Sequence, residues 1–337
     1  MNIGMNAPYT LTRTRPVLLL LTALILATTV YAAENVPSRH NQQVLQFMVI
    51  GDWGMQGAPT QRHVAEQMDS LAAKNGIDFI VSTGDNFYPF GVRNVTDPLW
   101  QRNFEAVYSL PHIKDIPWYV TLGNHDYFGN FQAEIDYGKD HPNWILPTNY
   151  YVRDFKLGKD RSARFIFLDS SPYLRDYRQH PGLYHDIDRQ DPDTETRWLK
   201  QQLDDDAPTW KLVFAHHPLY TSGAHGDITE IIQAWSGLFQ RYHVNAYFAG
   251  HDHHLEHIRH SGTTNYFISG GGGARTRRVT MTHDSLFADS SHGFAHVILD
   301  QNCMQVRFID DQGTELYRTV IPASPSVSCA ADKQLMQ

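Results

Sequence analysis

The stretch Val44-Leu45-Gln46-Phe47-Met48-Val49-Ile50-Gly51-Asp52 decides the fold class of this sequence. It is an apolar run of strand length that ends in Gly-Asp, which is typical of a buried strand followed by a turn. Apolar residues then recur at helical spacing over 58–74, and a second apolar run, 78–82, ends before Gly84-Asp85. Strand, helix and strand in this order predict a βαβ unit and therefore an α/β protein.

The same pattern of an apolar run followed by polar residues recurs along the chain. The further examples are 116–122 before Gly123-Asn124-His125-Asp126, 212–215 before His216-His217, and 246–249 before Gly250-His251-Asp252-His253. Ligands of open α/β sheets collect outside the carboxyl ends of the strands. We therefore expect the five polar clusters to converge on one site.

The remaining segments predict that two β-sheets pack together. Helical patterns lie between the strands at 194–203 and 228–242. After residue 250 the sequence is typical of strands, at 254–260, 263–269, 294–299, 304–309 and 315–321. No internal repeat or extended linker divides the chain, so we expect one domain over 44–322, followed by a C-terminal tail over 323–337.

The amino terminus predicts export from the cytoplasm. Arg13 and Arg15 precede an uncharged apolar run, 17–31, which ends in small residues at the usual cleavage offsets. This pattern predicts a signal peptide over 1–32 and a mature leader over 33–43, and hence a secreted or periplasmic protein. A membrane anchor is the alternative, but the run is shorter than the ~20 residues of a spanning helix, so we expect no stable membrane insertion after cleavage.

Composition and charge exclude several classes of protein. The 337 residues are 42% hydrophobic and 12% aromatic, which provides a substantial core and excludes collagen-like and disordered chains. With 36 acidic and 28 basic residues the formal charge is −8, so we expect no nucleic-acid partner. Two cysteines, Cys303 and Cys329, are too few for a disulfide scaffold or a four-thiolate zinc site. They form one disulfide or remain free thiols, and the sequence leaves both alternatives open.

The polar clusters contain seven residues of metal-ligating type. They are Asp52, Asp85, Tyr88, Asn124, His216, His251 and His253. Each cluster alone is common turn or capping chemistry, whereas five in succession after strands favour a metal site. Oxygen and imidazole donors without a thiolate suit two ions of the iron, zinc or manganese type better than a structural zinc. Two ions about 3.5–4 Å apart polarise a phosphoryl group and generate hydroxide from water.

The motifs around these residues carry a family resemblance. They are Gly51-Asp52-Trp53-Gly54, Gly84-Asp85-Asn86-Phe87-Tyr88, Gly123-Asn124-His125-Asp126-Tyr127, Ala215-His216-His217-Pro218 and Gly250-His251-Asp252-His253. In this order they resemble the motifs of the metallophosphoesterase superfamily. Tyr88, three residues after Asp85, makes the chain look like a purple acid phosphatase of the small, tartrate-resistant type, from about Gln46 to about Pro322. The resemblance implies two β-sheets packed face to face and flanked by helices over the catalytic domain 44–322.

The resemblance also implies an activity and a role for each site residue. The activity is hydrolysis of phosphomonoesters at acid pH, by attack of a metal-bound hydroxide. The implied ligands are Asp52, Tyr88 and His253 for Fe(III), Asn124, His216 and His251 for a second divalent ion (iron, zinc or manganese), and Asp85 as the bridge. His125 and His225 match outer-shell histidines that bind phosphate or protonate the departing alkoxide. Ala215 and His217 depart from the usual glycine and aromatic residue of the family, and neither change removes a ligand.

Three further segments have minor expected roles. The glycine run 270–273 lacks the Lys-Ser/Thr of a phosphate-binding loop, so we interpret it as backbone close to the metal rim. Arg275, Arg277 and Arg278 are interpreted as a solvated charge run rather than as anion-steering residues. The long loop 173–193 is expected near the mouth of the site, where it influences substrate access.

Two alternative functions stay open at the level of sequence. A phosphodiesterase or nucleotide pyrophosphatase would use the same metal core, because substrate choice depends on the surrounding loops. A non-catalytic iron-binding or redox protein is the second alternative, and the presence of both His125 and His225 argues against it. The second metal, the oligomeric state and the physiological substrate are not specified by the sequence.

Overall fold

The strand Val44–Ile50 (β1) lies in the middle of a seven-stranded sheet. The computed structural model describes residues 44–282 and 284–329. From edge to edge, the strands of this first sheet are β14 (Glu315–Pro322), β13 (Cys303–Asp310), β12 (Gly293–Asp300), β1, β2 (Phe79–Ser82), β3 (Trp118–Val120) and β4 (Trp144–Ile145). β1 pairs with β2 in parallel and with β12 in antiparallel orientation, so the sheet joins early and late segments of the chain.

The second sheet also contains seven strands. In spatial order they are β11 (Ser285–Asp289), β9 (Leu255–Ile258), β10 (Asn265–Ser269), β8 (Ala246–Ala249), β7 (Trp210–Phe214), β6 (Ser162–Phe167) and β5 (Tyr151–Lys156). Strands β6, β7, β8 and β10 run parallel to their neighbours in this group, and the remaining strands are antiparallel.

The predicted helices are present with small shifts of their ends. The helices are α1 (Pro59–Asn75), α2 (Phe131–Tyr137), α3 (Arg175–Arg178), α4 (Pro192–Leu203), α5 (Thr229–Ile231) and α6 (Gly237–Arg241), and π-helical turns span Trp100–Glu105 and Ile232–Ser236. Short 3₁₀ turns lie at Asp126–Phe128, Ser171–Tyr173 and Ile187–Arg189. Helix α4 begins earlier than its predicted start at residue 194, because Asp191 caps it by accepting from the backbone N–H of Thr194 at 3.1 Å.

Aromatic residues hold the two sheets together. The ring of Phe47 on β1 lies 5.2 Å from that of Phe165 on β6 and 6.4 Å from that of Phe214 on β7. A second apolar cluster, which includes Leu199 of α4 and Trp235, packs on the outer face of the second sheet. The predicted fold class, two β-sheets face to face and flanked by helices, is confirmed.

Four observed strands are absent from the sequence prediction: β4, β5, β6 and β11. Strand β4 has two residues, too few for a periodic signal. Strands β5 and β11 are the edges of the second sheet and are partly exposed, so they lack a continuous apolar run. Strand β6 carries Arg164, whose guanidinium donates to the Asp154 carboxylate on β5 at 2.8 Å. A charge paired across strands removes the pattern by which a buried strand is recognised.

The two termini have different outcomes. The predicted signal peptide 1–32 and leader 33–43 lie outside the described residues, as does the last part of the tail, 330–337. Cys303 and Cys329 form a disulfide with their Cα atoms 5.9 Å apart, which ties the described part of the tail to β13. Among the described residues, no helix has both the length and the apolar character needed to cross a bilayer.

Candidate metal centre

The five predicted strand ends bring their polar residues to one place. The strands and their residues are β1 with Asp52, β2 with Asp85, β3 with Asn124, β7 with His216 and β8 with His251. The first three strands belong to the first sheet and the last two to the second. The site therefore lies where the carboxyl ends of the two sheets meet, as expected for parallel strands.

Three of the predicted ligands have a backbone conformation that is uncommon for residues with side chains. The φ angles of Asp52, Asp85 and His251 are 58°, 52° and 66°, in the left-handed region. Hydrogen bonds fix two of them: the N–H of Asp52 donates to Gly84 O at 3.0 Å, and the N–H of His251 donates to Oδ2 of Asp52 at 2.9 Å. Such strain persists only where the surrounding structure imposes it, and it is concentrated at functional sites.

Two glycines allow the ligand loops to approach each other. A Cβ atom at Gly123 would lie 2.2 Å from Oδ1 of Asp85, and one at Gly250 would lie 2.5 Å from Oδ2 of Asp52. Any side chain at either position would displace a carboxylate. The glycine before Asn124 and the glycine before His251 are therefore required by packing at the site.

One part of the site, which we call the tyrosine side, is centred on the hydroxyl of Tyr88. This oxygen lies 2.7 Å from Oδ2 of Asp85, 3.0 Å from Oδ1 of Asp52 and 3.2 Å from Nε2 of His253. Nε2 of His253 lies 3.4 Å from Oδ1 of Asp52. The predicted ligands Asp52, Tyr88 and His253 thus converge, with one oxygen of Asp85 among them.

The other part, the histidine side, is centred on the amide oxygen of Asn124. Nε2 of His216 and Nδ1 of His251 each lie 3.1 Å from Oδ1 of Asn124, and they are 3.2 Å from each other. Nε2 of His216 is also 3.5 Å from Oδ1 of Asp85. The structure therefore brings all seven predicted residues together and sets one oxygen of Asp85 towards each side.

The arrangement of lone pairs fits a cation on the histidine side. Nδ1 of His216 lies 2.9 Å from the backbone oxygen of Thr83, and only a protonated nitrogen can donate there. The neutral ring then directs the lone pair of Nε2 towards Oδ1 of Asn124 and Oδ1 of Asp85, which are also acceptors. Hydrogen-bond acceptors that face one another in a buried site repel, and a cation between them removes this repulsion. A metal-binding histidine usually donates the N–H of its other ring nitrogen to a carbonyl or carboxylate oxygen.

On the tyrosine side the ring of His253 is oriented in a similar way. Nδ1 of His253 lies 2.9 Å from the backbone oxygen of Arg275, so Nε2 is directed inward, towards the Asp52 carboxylate and the Tyr88 hydroxyl. Burial, followed by the carboxylates of Asp52 and Asp85, raises the pKa of Tyr88 well above its ordinary value. A cation at this position would act in the opposite direction, because it stabilises the phenolate.

Comparison with known proteins gives the family. The calcineurin-like phosphoesterase family matches residues 45–255. Tartrate-resistant acid phosphatase type 5 of Mus musculus is 33% identical over 300 residues, which cover 83% of this chain and 91% of that protein. Purple acid phosphatase 7 of Arabidopsis thaliana is 32% identical over 286 residues, which cover 82% and 85%. The chain belongs to the calcineurin-like phosphoesterases.

The predicted resemblance to purple acid phosphatases of the tartrate-resistant type is confirmed by these relatives. Among solved structures the phosphoesterase is similar to Plasmodium GAP50, the anchor in the inner membrane complex, with a TM-score of 0.73, 27% identity and coverage of 83% of this chain and 89% of that chain. Purple acid phosphatase PPD1 of yellow lupin (TM-score 0.63, 16% identity, coverage 87% and 58%) shows the same fold. The phosphoesterase is a hydrolase that acts on phosphoesters at a metal centre.

His125 borders the tyrosine side of the phosphoesterase site. Its backbone N–H donates to Oδ1 of Asp85 at 2.9 Å, and its Nδ1 lies 2.7 Å from the backbone oxygen of Pro89. Nε2 is then directed inward, 4.0 Å from Oδ2 of Asp85. The side chain of His125 is 28% exposed.

His225 borders the histidine side, together with an arginine whose role the sequence analysis missed. Nδ1 of His225 lies 2.9 Å from the Asp252 carboxylate, and its ring stacks on that of His251 at 4.2 Å. Nη1 of Arg277 lies 2.9 Å from Nε2 of His225, and the Arg277 N–H donates to His253 O at 3.3 Å. Arg277 is exposed, as the interpretation of 275–278 as a solvated charge run predicts, but it also contacts His225. Arg275, Arg277 and Arg278 lie close together in the sequence, and no sequence signal distinguishes the one that contacts His225.

His217, the residue after the predicted ligand His216, is buried and contacts two side chains outside the set of predicted ligands. Its Nδ1 lies 2.8 Å from Oγ of Ser170 and its Nε2 lies 3.3 Å from the hydroxyl of Tyr177. Burial and the neighbouring His216 lower the pKa of His217 well below its ordinary value, so the ring is neutral. Tyr177 belongs to the segment 173–193, so this segment contacts the residue next to the predicted ligand His216.

A buried carboxylate supports the ligand loops from below. Asp126 accepts hydrogen bonds from the backbone N–H groups of Gly123, Asn86 and Phe87 at 2.8, 2.9 and 3.1 Å. The side chain of Asn86 donates to Glu134 on α2 at 3.0 Å. Asp126 belongs to one of the motifs quoted above, whereas no sequence pattern predicts that Glu134 lies near the site. Together they fix the turns that carry Asp85 and Asn124.

Proposed function

We propose that the phosphoesterase is an acid phosphatase that hydrolyses phosphomonoesters at a dinuclear centre of Fe(III) and a second divalent ion (iron, zinc or manganese). The observation that carries this proposal is the Asp85 carboxylate, which directs one oxygen to the tyrosine side and the other to the histidine side. A carboxylate with this position is suited to bridge two ions. The proposed ligands are Asp52, Tyr88 and His253 on one ion, and Asn124, His216 and His251 on the other.

The chemistry of the donors supports the two proposed metals. A phenolate and two carboxylates are hard anionic ligands that favour a trivalent ion, and two imidazoles with a neutral amide favour a divalent one. Since Asn124 carries no charge, the histidine side adds no repulsion against an incoming phosphate dianion. When bound, such a pair of ions supplies Lewis acidity and a hydroxide nucleophile for displacement at phosphorus, and a trivalent member supplies the hydroxide at acid pH.

The two sides of the mouth support different roles for the two histidines. Arg277 and His225 lie in contact with each other beside His251, and we propose that this pair binds the non-bridging oxygens of the phosphate. A guanidinium suits this task because its planar fork matches two oxygens. Among the described residues, no cationic side chain contacts His125, and its Nε2 is directed to the tyrosine side. We propose that it donates the proton to the departing alkoxide.

The export of the enzyme is also a proposal. The signal peptide over 1–32 and the leader over 33–43 would direct a mature domain, 44–322 with its tail, to a secreted or periplasmic location. The disulfide between Cys303 and Cys329 supports an oxidising compartment, because such bonds are rare in cytosolic proteins. Amino-terminal sequencing of protein from the extracellular or periplasmic fraction tests this proposal, with Ala33 as the expected first residue.

One experiment separates the proposed activity from the alternatives. Initial rates on a panel of phosphomonoesters and phosphodiesters at pH 5 and pH 7 are compared, with iron, zinc and manganese measured on the same samples. We expect monoester hydrolysis that is faster at pH 5, with about two metal ions per chain and at least one of them iron. Preferential cleavage of diesters would favour a phosphodiesterase, and metal-loaded protein without activity would favour a non-catalytic iron protein.

A further inference from the structure

The pair Arg277 and His225 is formed by two separate loops of the chain. His225 belongs to loop 221–226, which lies between β7 and α5, and Arg277 belongs to loop 275–282, which lies between β10 and β11. Nη1 of Arg277 lies 2.9 Å from Nε2 of His225. The pair therefore exists only while the two loops are held side by side.

A buried carboxylate, that of Glu256 on β9, holds the first of these loops. Its Oε2 accepts a hydrogen bond from the backbone N–H of Ser222 at 3.0 Å, and its Oε1 accepts from Oγ of Ser285 at 2.6 Å. Oε2 also lies 2.8 Å from Nε2 of His254, the residue after the predicted ligand His253. Glu256 is 0% exposed, and each of its oxygens has a hydrogen-bond partner, as a buried carboxylate requires.

Three hydroxyl groups form a cluster beside Glu256 and lead to the second loop. Oγ of Ser222 lies 2.6 Å from Oγ of Ser285. The backbone N–H of Thr282, the last residue of its loop, donates to Oγ of Ser222 at 3.0 Å and to Oγ of Ser285 at 3.2 Å. Ser222 therefore joins the two loops, because its N–H is bound to Glu256 and its hydroxyl accepts from Thr282.

A second buried carboxylate, that of Asp252, orients the ring of His225. Its Oδ1 lies 2.9 Å from Nδ1 of His225, and its Oδ2 accepts from Oγ1 of Thr221 at 2.8 Å. A Cβ atom at Gly223 would lie 2.3 Å from Cγ of Asp252, so the loop passes close to this carboxylate. Asp252 thus fixes the ring within its own loop, and the link to the other loop comes from Ser222.

Loop 275–282 depends on hydrogen bonds for its position. Most of its side chains are exposed, so it has few apolar contacts that would fix it. Longer bonds hold its middle: the N–H of Arg277 donates to His253 O at 3.3 Å, and the N–H of Val279 donates to Oγ of Ser290 at 3.2 Å. The shorter bond from Thr282 to Ser222 is the one that leads to the loop of His225.

We propose that Glu256 and Ser222 are positioning residues that hold Arg277 against His225 in the arrangement that binds phosphate. A ligand that binds to a loop already fixed in place causes a small loss of conformational freedom. Without the link, both side chains of the pair would remain, but phosphate would have to order loop 275–282 on binding. The inference rests on the proposed function, in which this pair binds the phosphate, and it adds residues that are not among the predicted ligands.

Calorimetry with inorganic phosphate on the metal-loaded enzyme tests the inference without turnover. We expect Ser222→Ala to weaken phosphate binding about three- to ten-fold, the range typical of one hydrogen bond between uncharged groups, with metal content unchanged. Ser70→Ala is the matched control, because it removes an exposed hydroxyl whose hydrogen bond, to Glu66 O, stays within α1. It should leave the affinity for phosphate unchanged.

A double-variant cycle shows whether Ser222 acts through Arg277. If the hydroxyl of Ser222 serves to hold Arg277, it no longer matters once the arginine side chain is removed. The double variant Ser222→Ala with Arg277→Ala should then bind phosphate within about two-fold of Arg277→Ala alone. A general structural role of Ser222 would instead give two losses that multiply.

Glu256→Ala tests the buried end of the link. We expect it to weaken phosphate binding at least as much as Ser222→Ala, because it releases both Ser222 and Ser285. Thermal unfolding and metal analysis on the same samples identify a Glu256 variant that has lost the fold. In that case the Ser222 cycle decides the outcome by itself.

The outcomes distinguish this inference from the function on which it rests. Wild-type affinity for phosphate in Ser222→Ala, or losses that multiply in the double variant, would overturn the positioning role while leaving the phosphatase intact. Failure of the fully metal-loaded wild type to bind phosphate would overturn the proposed function and the positioning role with it.

Discussion

The hydroxyl of Tyr88 donates a hydrogen bond to Oδ2 of Asp85, with 2.7 Å between the two oxygens. The other carboxylate oxygen of Asp85 lies 3.5 Å from Nε2 of His216 on the histidine side. One carboxylate therefore faces both groups of predicted ligands. Burial raises the pKa of Asp85, but the surrounding groups, among them the hydrogen bonds from the Tyr88 hydroxyl and the His125 backbone N–H, outweigh it and leave the pKa below the ordinary value, so the carboxylate is ionised.

This geometry predicts that Asp85 is the most important single ligand for metal retention. We expect Asp85→Asn to lose most of both metals, because the bridge contacts both sides, whereas Asn124→Ala should lose mainly the divalent ion. The measurement is metal content by elemental analysis after dialysis. Full and equal occupancy in the two variants would contradict a bridging role.

A second prediction concerns colour. Oxidised, iron-loaded wild-type protein should be violet, because a phenolate bound to Fe(III) gives a charge-transfer band. Tyr88→Phe should lose the visible band and keep appreciable activity, since the phenolate takes no part in the displacement. Visible absorption spectra with iron measured on the same samples test this. A colourless wild type with full iron would show that Tyr88 is not a ligand.

The third prediction separates the roles of His125 and His225. His125→Ala should reduce kcat about 10²–10⁴-fold on an alkyl phosphate and far less on nitrophenyl phosphate, whose leaving group departs without a proton. His225→Ala should reduce the rates on both substrates by a similar factor, as expected for a phosphate-binding residue. Metal content should be unchanged in both variants. Wild-type kcat on both substrates in both variants would contradict this mechanism.

The fourth prediction concerns Arg277. We expect Arg277→Ala to raise KM and to weaken inhibition by inorganic phosphate about ten-fold or more, the loss typical of one hydrogen bond to a charged group. Arg277→Lys should recover part of the loss, because it keeps the charge without the fork. Arg278→Ala removes an adjacent exposed arginine and is the control. Equal shifts in the two alanine variants would indicate general steering of anions instead of a contact.

A fifth prediction concerns stability and pH. Asp169 is buried and accepts hydrogen bonds from the hydroxyl of Tyr127 and, at 3.0 Å, from the side chain of Asn149. Burial outweighs these bonds and raises the pKa of Asp169 from 3.8 to about 6. Between these two pH values the folded protein binds this proton more tightly than the unfolded chain, so its ionisation lowers the free energy of unfolding as the pH rises.

Asp169→Asn removes that ionisation. We expect the wild type to lose on the order of 2–3 kcal/mol relative to the variant between pH 4 and pH 6, and no further difference to develop above pH 6. Thermal or urea unfolding of both proteins across pH 4–8 measures the difference. A difference that is independent of pH, or one that grows in the opposite direction, would contradict the raised pKa.

The sequence by itself predicts the fold class, which the structure confirms, and a set of candidate site residues. An apolar run such as Val44–Ile50 has to be buried, and the Gly-Asp after it has to lie where that strand ends. The strand and its site residue are therefore neighbours in the sequence, and one pattern predicts both. The same local rule located Asn124, His216 and His251. The roles of Tyr88 and His225 came from resemblance to the family, because neither directly follows a strand.

Only the tertiary structure decided which residues face one another. The pairing of β1 with β12, the division of the ligand strands between two sheets and the position of Glu134 depend on contacts between distant parts of the chain. The contact of Arg277 with His225 depends on such contacts too. Local sequence fixes backbone preference and burial, whereas the approach of two side chains is set by the packing of the whole domain.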